Sequence, residues 1–382
     1  MRYNDVSGRF VSDRALSRRG VLRCGGAAAL LLGAGPLLAA CGGSAGSGSG
    51  AGAAGKKFGD IAVQLSWIKN VEFSGEYFAD QKGYYTAAGF SSVALTAGGA
   101  GAGSAESSVA SGKSFVGFGS TKVTAGAITQ GADLKTVGTV FQKNPLCIMS
   151  LASNPVPDVQ SMKGKRIGVQ PGGNANVFAG LLTANNIDHA DITIVPVQYD
   201  PTVVTTGQVD GYMGFITNEP LLVEAKGFKT TSFLLADYGL PLLSETFVVS
   251  QDTIDNDRDK LKAFLVAEIK GWTDAVANPV QAVGYAVSHY GKDQNLESDE
   301  QLKEAKLQSS LIATPEAVAN GLFTISDRLV AANLKALGAT GVTVTADQLF
   351  DLSVLREVYS ENPTLVPAFA AAAASATAKP PS

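Results

Sequence analysis

Cysteine and histidine are scarce: the 382-residue chain holds three cysteines and two histidines. His189 and His289 stand far apart, and the sequence contains no His-x-x-x-His or Cys-x-x-Cys pairing. A disulfide framework and a cysteine/histidine metal cage are thereby excluded, and histidine-dependent catalysis has few candidates. Cys24 and Cys41 lie near the N-terminus, which leaves Cys147 alone in the body. Set in Leu146-Cys147-Ile148-Met149, it reads as a small buried hydrophobe rather than a nucleophile. Basic charge is also in short supply, with 30 Lys and Arg against 34 Asp and Glu and a net charge of −4. Binding to nucleic acid needs clustered lysine and arginine against phosphate, so that class of partner is excluded.

Long hydrophobic runs are missing too. The apolar stretch at 27–40 falls short of the roughly 20 residues a membrane-spanning helix needs. What surrounds it is informative. Ser17-Arg18-Arg19-Gly20-Val21-Leu22-Arg23 is close to the twin-arginine export pattern, and Leu38-Ala39-Ala40-Cys41 looks like a bacterial lipobox. Residues 42–55 are almost entirely Gly, Ala and Ser, a composition that behaves as flexible coil. The expectation is an export signal over 1–40, a lipid-bearing Cys41 and a tether over 41–57, placing the body outside the cell membrane on a lipid anchor. Residues 1–40 carry six arginines and two aspartates, a net +4, so their removal takes the charge from −4 to −8. About 325 residues remain, enough for two α/β lobes with separate cores. Residues 368–382, alanine-rich and ending Lys-Pro-Pro-Ser, read as a disordered tail.

From residue 58 short β-rich runs alternate with helical patterns, the mark of a largely parallel sheet covered by helices. Strands are expected at 61–65, 92–97, 115–118, 135–141, 146–151, 166–169, 192–197, 211–214 and 246–250. Helices are expected at 74–82, 105–111, 121–130, 176–185, 201–208, 220–226 and 258–277, then at 280–289, 298–312, 315–337 and 346–361. Residues 141–145 and 237–241 look like crossings between lobes. They set one lobe at 58–145 plus 246–367 and an inserted lobe at 146–245, joined by a two-segment hinge able to close over a cleft.

Residues 82–85 with Gly89 resemble a "KGYF…G" element, residues 111–119 (SGKSFVGFG) a "SGKADFGIG" segment, and residues 163–169 (KGKRIGV) an "LKGKKIGV" strand. In this order and spacing they resemble the solute-binding proteins of ABC importers, in the branch of nitrate, sulfonate, taurine and thiamine-pyrimidine-precursor (hydroxymethylpyrimidine) binders. The resemblance implies a type II periplasmic-binding-protein fold. It implies a small-molecule, pyrimidine-like ligand, with riboflavin, nitrate or a sulfonate as alternatives, a partner ABC permease, no cofactor and a monomer. Three pieces resemble the pyrimidine-precursor group: residues 67–77 (WIKNVEFSGEY), residues 170–174 (QPGGN) and Asn218-Glu219-Pro220. They nominate Trp67, Asn70, Phe73, Tyr77, Gly172, Gly173, Asn174, Asn218 and Glu219. Glu76 departs from the pattern, standing where relatives often carry an aromatic. Eukaryotic relatives that synthesise the thiamine pyrimidine need a reactive histidine and a cysteine-rich iron-binding segment; the body here has one cysteine and no histidine within residues 67–77 or 172–174, so a binder rather than an enzyme is expected.

Several of these residues also have a reading without the resemblance. Trp67 ends a strand, where ligands of open α/β sheets lie, and its indole offers a face for a heteroaromatic ring; alternatively it fills core under the first helix. Phe73 and Tyr77, at helical spacing, divide evenly between cleft and core. Glu219 either caps the helix begun by Pro220 or accepts from an exocyclic amine or a protonated ring nitrogen. Gly172 and Gly173 permit close backbone approach, and Ser120 after Gly119 serves in the same way from the other lobe, unless each merely caps its helix. Residues 98–103, glycine-rich, read as a loop at the cleft rim.

Overall fold

The computed structural model describes residues 57–377. The expected signal, Cys41 and all but the last residue of the expected tether lie outside them. Among the described residues ten strands form two five-stranded sheets. In chain order they are β1 (Gly59–Gln64), β2 (Phe90–Thr96), β3 (Val116–Ser120), β4 (Leu134–Thr139), β5 (Leu146–Leu151), β6 (Arg166–Val169), β7 (Thr193–Pro196), β8 (Gly211–Phe215), β9 (Thr230–Leu234) and β10 (Ser244–Ser250). The first sheet runs β2-β1-β3-β10-β4 and the second β7-β6-β8-β5-β9. Both share one plan. Parallel pairs (β1 with β2 and β3, β6 with β7 and β8) are joined by a single antiparallel strand set second from one edge, β10 in the first sheet and β5 in the second. Those two strands are the ones that follow each crossing between sheets. The fold is mixed α/β, as the alternation of patterns requires.

The crossings are the segments between β4 and β5 and between β9 and β10, and they are bonded to each other. Lys143 Nζ sits 2.7 Å from Asp237 Oδ1. The buried Asn144 amide donates to Leu242 O, and its oxygen accepts from Leu146 N at 2.7 Å. A third element reaches both sides. The Asp327–Ala339 helix presents Asn333, whose Oδ1 accepts from Thr121 Oγ1 and from Leu243 N, each at 2.9 Å. Its Leu329, Ala336 and Leu337 join the core around Phe178 and Leu181 of the second sheet's Gly173–Ala184 helix. The expected assignment of 246–367 to one lobe misses this: apolar residues at 329, 336 and 337 are claimed by the second core.

Three other expectations are corrected. The helix expected over 315–337 is two, Pro315–Asn320 and Asp327–Ala339. Between them Gly321 (φ 102) and Phe323 (φ 69) take left-handed backbone, which turns Phe323 into the core at 4.6 Å from Phe247. The helix expected over 346–361 breaks where Phe350 bridges to Thr136 of β4. The tail expected at 368–382 is helical as far as it is described: Leu365–Thr377 packs on the Arg258–Ala277 helix, with Phe369 fully buried. Alanine is the strongest helix former, and burying one phenylalanine contributes about 1.5–3 kcal/mol, so a segment that looks featureless still docks. Strand β9, TTSFL, has no apolar alternation and lies at a sheet edge, half-exposed.

Candidate functional site

A cavity of about 380 Å³ opens between the two sheets. Its walls come from the carboxyl ends of the parallel strands, where the loops diverge. Ser66, Trp67 and Glu72 follow β1; Phe118, Gly119 and Ser120 end β3; Gln170 and Asn174 follow β6; Tyr199 follows β7; Met213, Gly214, Phe215, Asn218 and Glu219 end or follow β8. Ser244 and Glu245 begin β10, which runs antiparallel and so starts at the same edge.

Trp67 and Glu219, from different sheets and 152 positions apart in the chain, line this one cavity. Trp67 O accepts from Gly98 N at 2.8 Å, and Gly99, Ala102 and Gly103 line the rim beside it. The indole meets the ring of Tyr199 from the second sheet, centroids 5.3 Å apart and planes at 53°. Glu219 opens the Glu219–Ala225 helix and is 6% exposed. Its Oε2 accepts from Phe215 N at 2.7 Å. Gly214 makes room for it, since a Cβ there would stand 2.7 Å from that oxygen. Burial raises its pKa, and the bond from Phe215 opposes the rise. Asn174 donates to Gln170 Oε1 at 2.9 Å, and Gln170 in turn donates to Met213 O at 2.9 Å, which fixes an amide pair on this wall. Ser120 caps the Thr121–Thr129 helix through Val123 N, and its own N–H donates to Glu106 Oε1 at 3.1 Å.

The remaining nominated residues lie elsewhere. Asn70 is buried, capping the short turn at 71–73 by accepting from Glu72 N and donating to Glu304 Oε1 at 3.0 Å. Phe73 packs edge-on against Phe118, ring centroids 6.0 Å apart, in the first core. Tyr77 is fully buried and stacks on Tyr290 at 4.1 Å. None of the three is in the lining of this cavity; Phe73 and Tyr77, which helical spacing leaves divided between cleft and core, lie in the core. Gly172 and Gly173 are exposed at the helix start outside the lining, with Asn174 the member of that motif that reaches the cavity.

Among the described residues the lining holds four carboxylates, Glu72, Glu106, Glu219 and Glu245, and no lysine, arginine or histidine. All four are at most 6% exposed, and burial raises the pKa of each. Glu106 is spent on Ser120 N and on Thr124 Oγ1 at 3.2 Å, holding the start of a helix. Glu72, Glu245 and Tyr199 escaped the reading of the sequence. For Tyr199 a signal existed: it stands just past β7 as Trp67 stands just past β1. Glu245 carried none, since nothing in Leu243-Ser244-Glu245-Thr246 marks a buried acid.

Residues 70–282, more than half the chain, match the family described as NMT1/THI5 like. A riboflavin-binding protein, RibY, of Chloroflexus aurantiacus is 28% identical over 263 residues, 66% of this chain and 72% of that protein. Among solved structures, the periplasmic nitrate-binding protein NrtA of Synechocystis superposes with a TM-score of 0.60 at 13% identity, covering 81% of this chain and 91% of that one. The ligand-binding component of an ABC-type import system from Staphylococcus aureus gives 0.57 at 12% identity, covering 78% of this chain and 98% of that one. At such identities the structures speak for the fold, two sheets flanking a cleft. With the family matched over residues 70–282 and the fold that of periplasmic binding proteins, the chain belongs to the NMT1/THI5-like family.

Proposed function

We propose that the protein is the extracytoplasmic, lipid-anchored solute-binding component of an ABC importer and captures a small nitrogenous heteroaromatic solute, a thiamine pyrimidine precursor of the hydroxymethylpyrimidine type. The observation that carries this is the cavity itself: two aromatic rings at its mouth, Trp67 and Tyr199, and carboxylates without a single basic side chain in its lining. A flat ring gains roughly 0.5–1.5 kcal/mol from each good aromatic contact beyond its buried area. Protonated ring nitrogens and exocyclic amines supply the donors that buried carboxylates lack, in charge-assisted bonds. An anion such as nitrate or a sulfonate finds no basic side chain in the described lining to offset its desolvation.

The mechanism is capture without bond-making. The two crossings absorb a rigid-body rotation that brings Glu219 and Asn174 from one side and Trp67 and Ser120 from the other onto the solute. Closure hides the solute from water and creates the surface that a permease meets. A riboflavin-sized ring system is the second reading, favoured by the similarity to RibY and by the same aromatic mouth.

A thermal-shift panel on the purified protein tests this, using hydroxymethylpyrimidine, riboflavin, nitrate and taurine. The melting temperature is expected to rise with hydroxymethylpyrimidine and to stay put with nitrate and taurine. A rise with riboflavin alone moves the assignment to the second reading, and a rise with nitrate or taurine alone overturns both.

A further inference from the structure

Glu245 is a non-glycine residue in the left-handed region, φ 50, within a strand. It sits at a bulge, where the pairing of β10 with β3 shifts register between Ser244 and Thr246. Such backbone is strained in a non-glycine residue and persists where the surroundings enforce it. The bulge carries the Glu245 carboxyl to the cavity side of the first sheet. There Oε1 accepts from Ser66 Oγ at 2.6 Å, and the group lies against the carboxyl of Glu72. Glu245 is 4% exposed and Ser244 6%, and both line the cavity. Glu245 Oε2 and Ser244 Oγ are buried and have no hydrogen-bond partner. Two carboxylates bond to each other only with a proton between them. Otherwise both wait for a donor from outside.

We propose that Glu72 and Glu245 form a floor subsite that takes a cationic nitrogen of the solute, an ammonium or amidinium group. This rests on the solute-capture reading above and names the charge of the solute. The titratable groups facing the pair are all acids: Glu76 and Glu106 act on Glu245, Glu219 and Glu304 on Glu72. Burial first, then these neighbours, raises Glu72 well above the usual carboxylate range. Burial first, opposed by the Ser66 bond, raises Glu245 to about 8. The empty pair therefore holds a proton at neutral pH. A cation entering the subsite displaces it to solvent, one proton out for one charged N–H group in. The proton competes with the cation, so affinity for a solute that stays protonated rises as pH approaches 8.

The test is titration calorimetry on the full chain with two probes that share a ring: hydroxymethylpyrimidine and the corresponding aminomethylpyrimidine, whose primary amine is protonated at neutral pH. Each is titrated at pH 7 and pH 8 in two buffers of different ionisation heat. The amine is expected to bind at least about tenfold more tightly than the alcohol, with a buffer-dependent heat that reports proton release. In Glu245→Gln the preference and the buffer dependence are expected to disappear. Glu72→Gln is expected to do the same and guards against a folding defect confined to the strained position. Equal affinity for the two probes, or a preference that survives both substitutions, overturns the subsite and leaves solute capture standing. Failure of both rings to bind takes the heteroaromatic assignment down with it.

Discussion

The indole of Trp67 and the phenol ring of Tyr199 approach to 5.3 Å from opposite sheets and form an aromatic contact across the mouth of the cavity. Each stands just beyond the carboxyl end of a strand, β1 in one sheet and β7 in the other. A solute ring entering the cleft must displace or join this pair. Tyr199→Ala is expected to weaken binding of the solute by about 0.5–1.5 kcal/mol, the share of one aromatic partner. Tyr199 is 44% exposed, so the melting temperature of the empty protein should hardly move. Calorimetry on the variant checks the first statement, and a thermal melt without ligand the second.

Glu219 supplies charge from the second sheet. Glu219→Gln keeps an amide oxygen able to accept from Phe215 N, as Oε2 does now at 2.7 Å, while removing the carboxylate. Affinity for hydroxymethylpyrimidine is expected to fall by roughly 1–3 kcal/mol, the order for losing a charged hydrogen-bond partner, with little change in fold stability. An unchanged dissociation constant would confine Glu219 to holding the turn before its helix.

A second buried acid pair makes stability depend on pH. Glu76 and Glu268 are both fully buried in the first core, where Trp272 Nε1 donates to Glu76 Oε1 at 3.1 Å. Burial raises the Glu76 pKa from 4.5 to about 7 and pushes Glu268 well up. A raised folded-state pKa gives stability that is complete below the unfolded value and lost as pH climbs through the folded one. Wild-type melting temperature should therefore fall between pH 5 and pH 8, and the fall should be smaller in Glu76→Gln. Calorimetric melts over that range check it, and parallel pH profiles for the two proteins would contradict it.

Cys41 carries the proposed anchor and lies outside the described residues. In cells, Cys41→Ser is expected to shift the protein from the membrane pellet to the soluble fraction. Continued sedimentation with membranes would exclude acylation at this residue as the anchor.

Much of the architecture is legible in the sequence because strands buried on both faces write themselves as apolar runs: 146–151 and 166–169 coincide with β5 and β6. The boundaries that escape are set by long-range contacts. Phe323 leaves its helix because Phe247 offers it a core position, and Leu365–Thr377 folds onto a helix some hundred positions earlier. The site divides in the same way. Trp67, Ser120, Asn174, Asn218 and Glu219 are at strand or helix ends that a local reading locates. Glu245 depends on a bulge in β10 paired with β3, and Glu72 on where the turn after Asn70 points, which no local pattern encodes.

Tryptophan fluorescence during titration bears most directly on a solute ring held at the mouth between the sheets. Trp67 faces the cavity, whereas Trp272 is 2% exposed in the core. Adding hydroxymethylpyrimidine to the wild type is expected to change the emission saturably, and Trp67→Phe is expected to abolish that change. A signal that persists in Trp67→Phe, or one evoked by nitrate or taurine instead of the ring, would contradict capture of a nitrogenous heteroaromatic at this cleft.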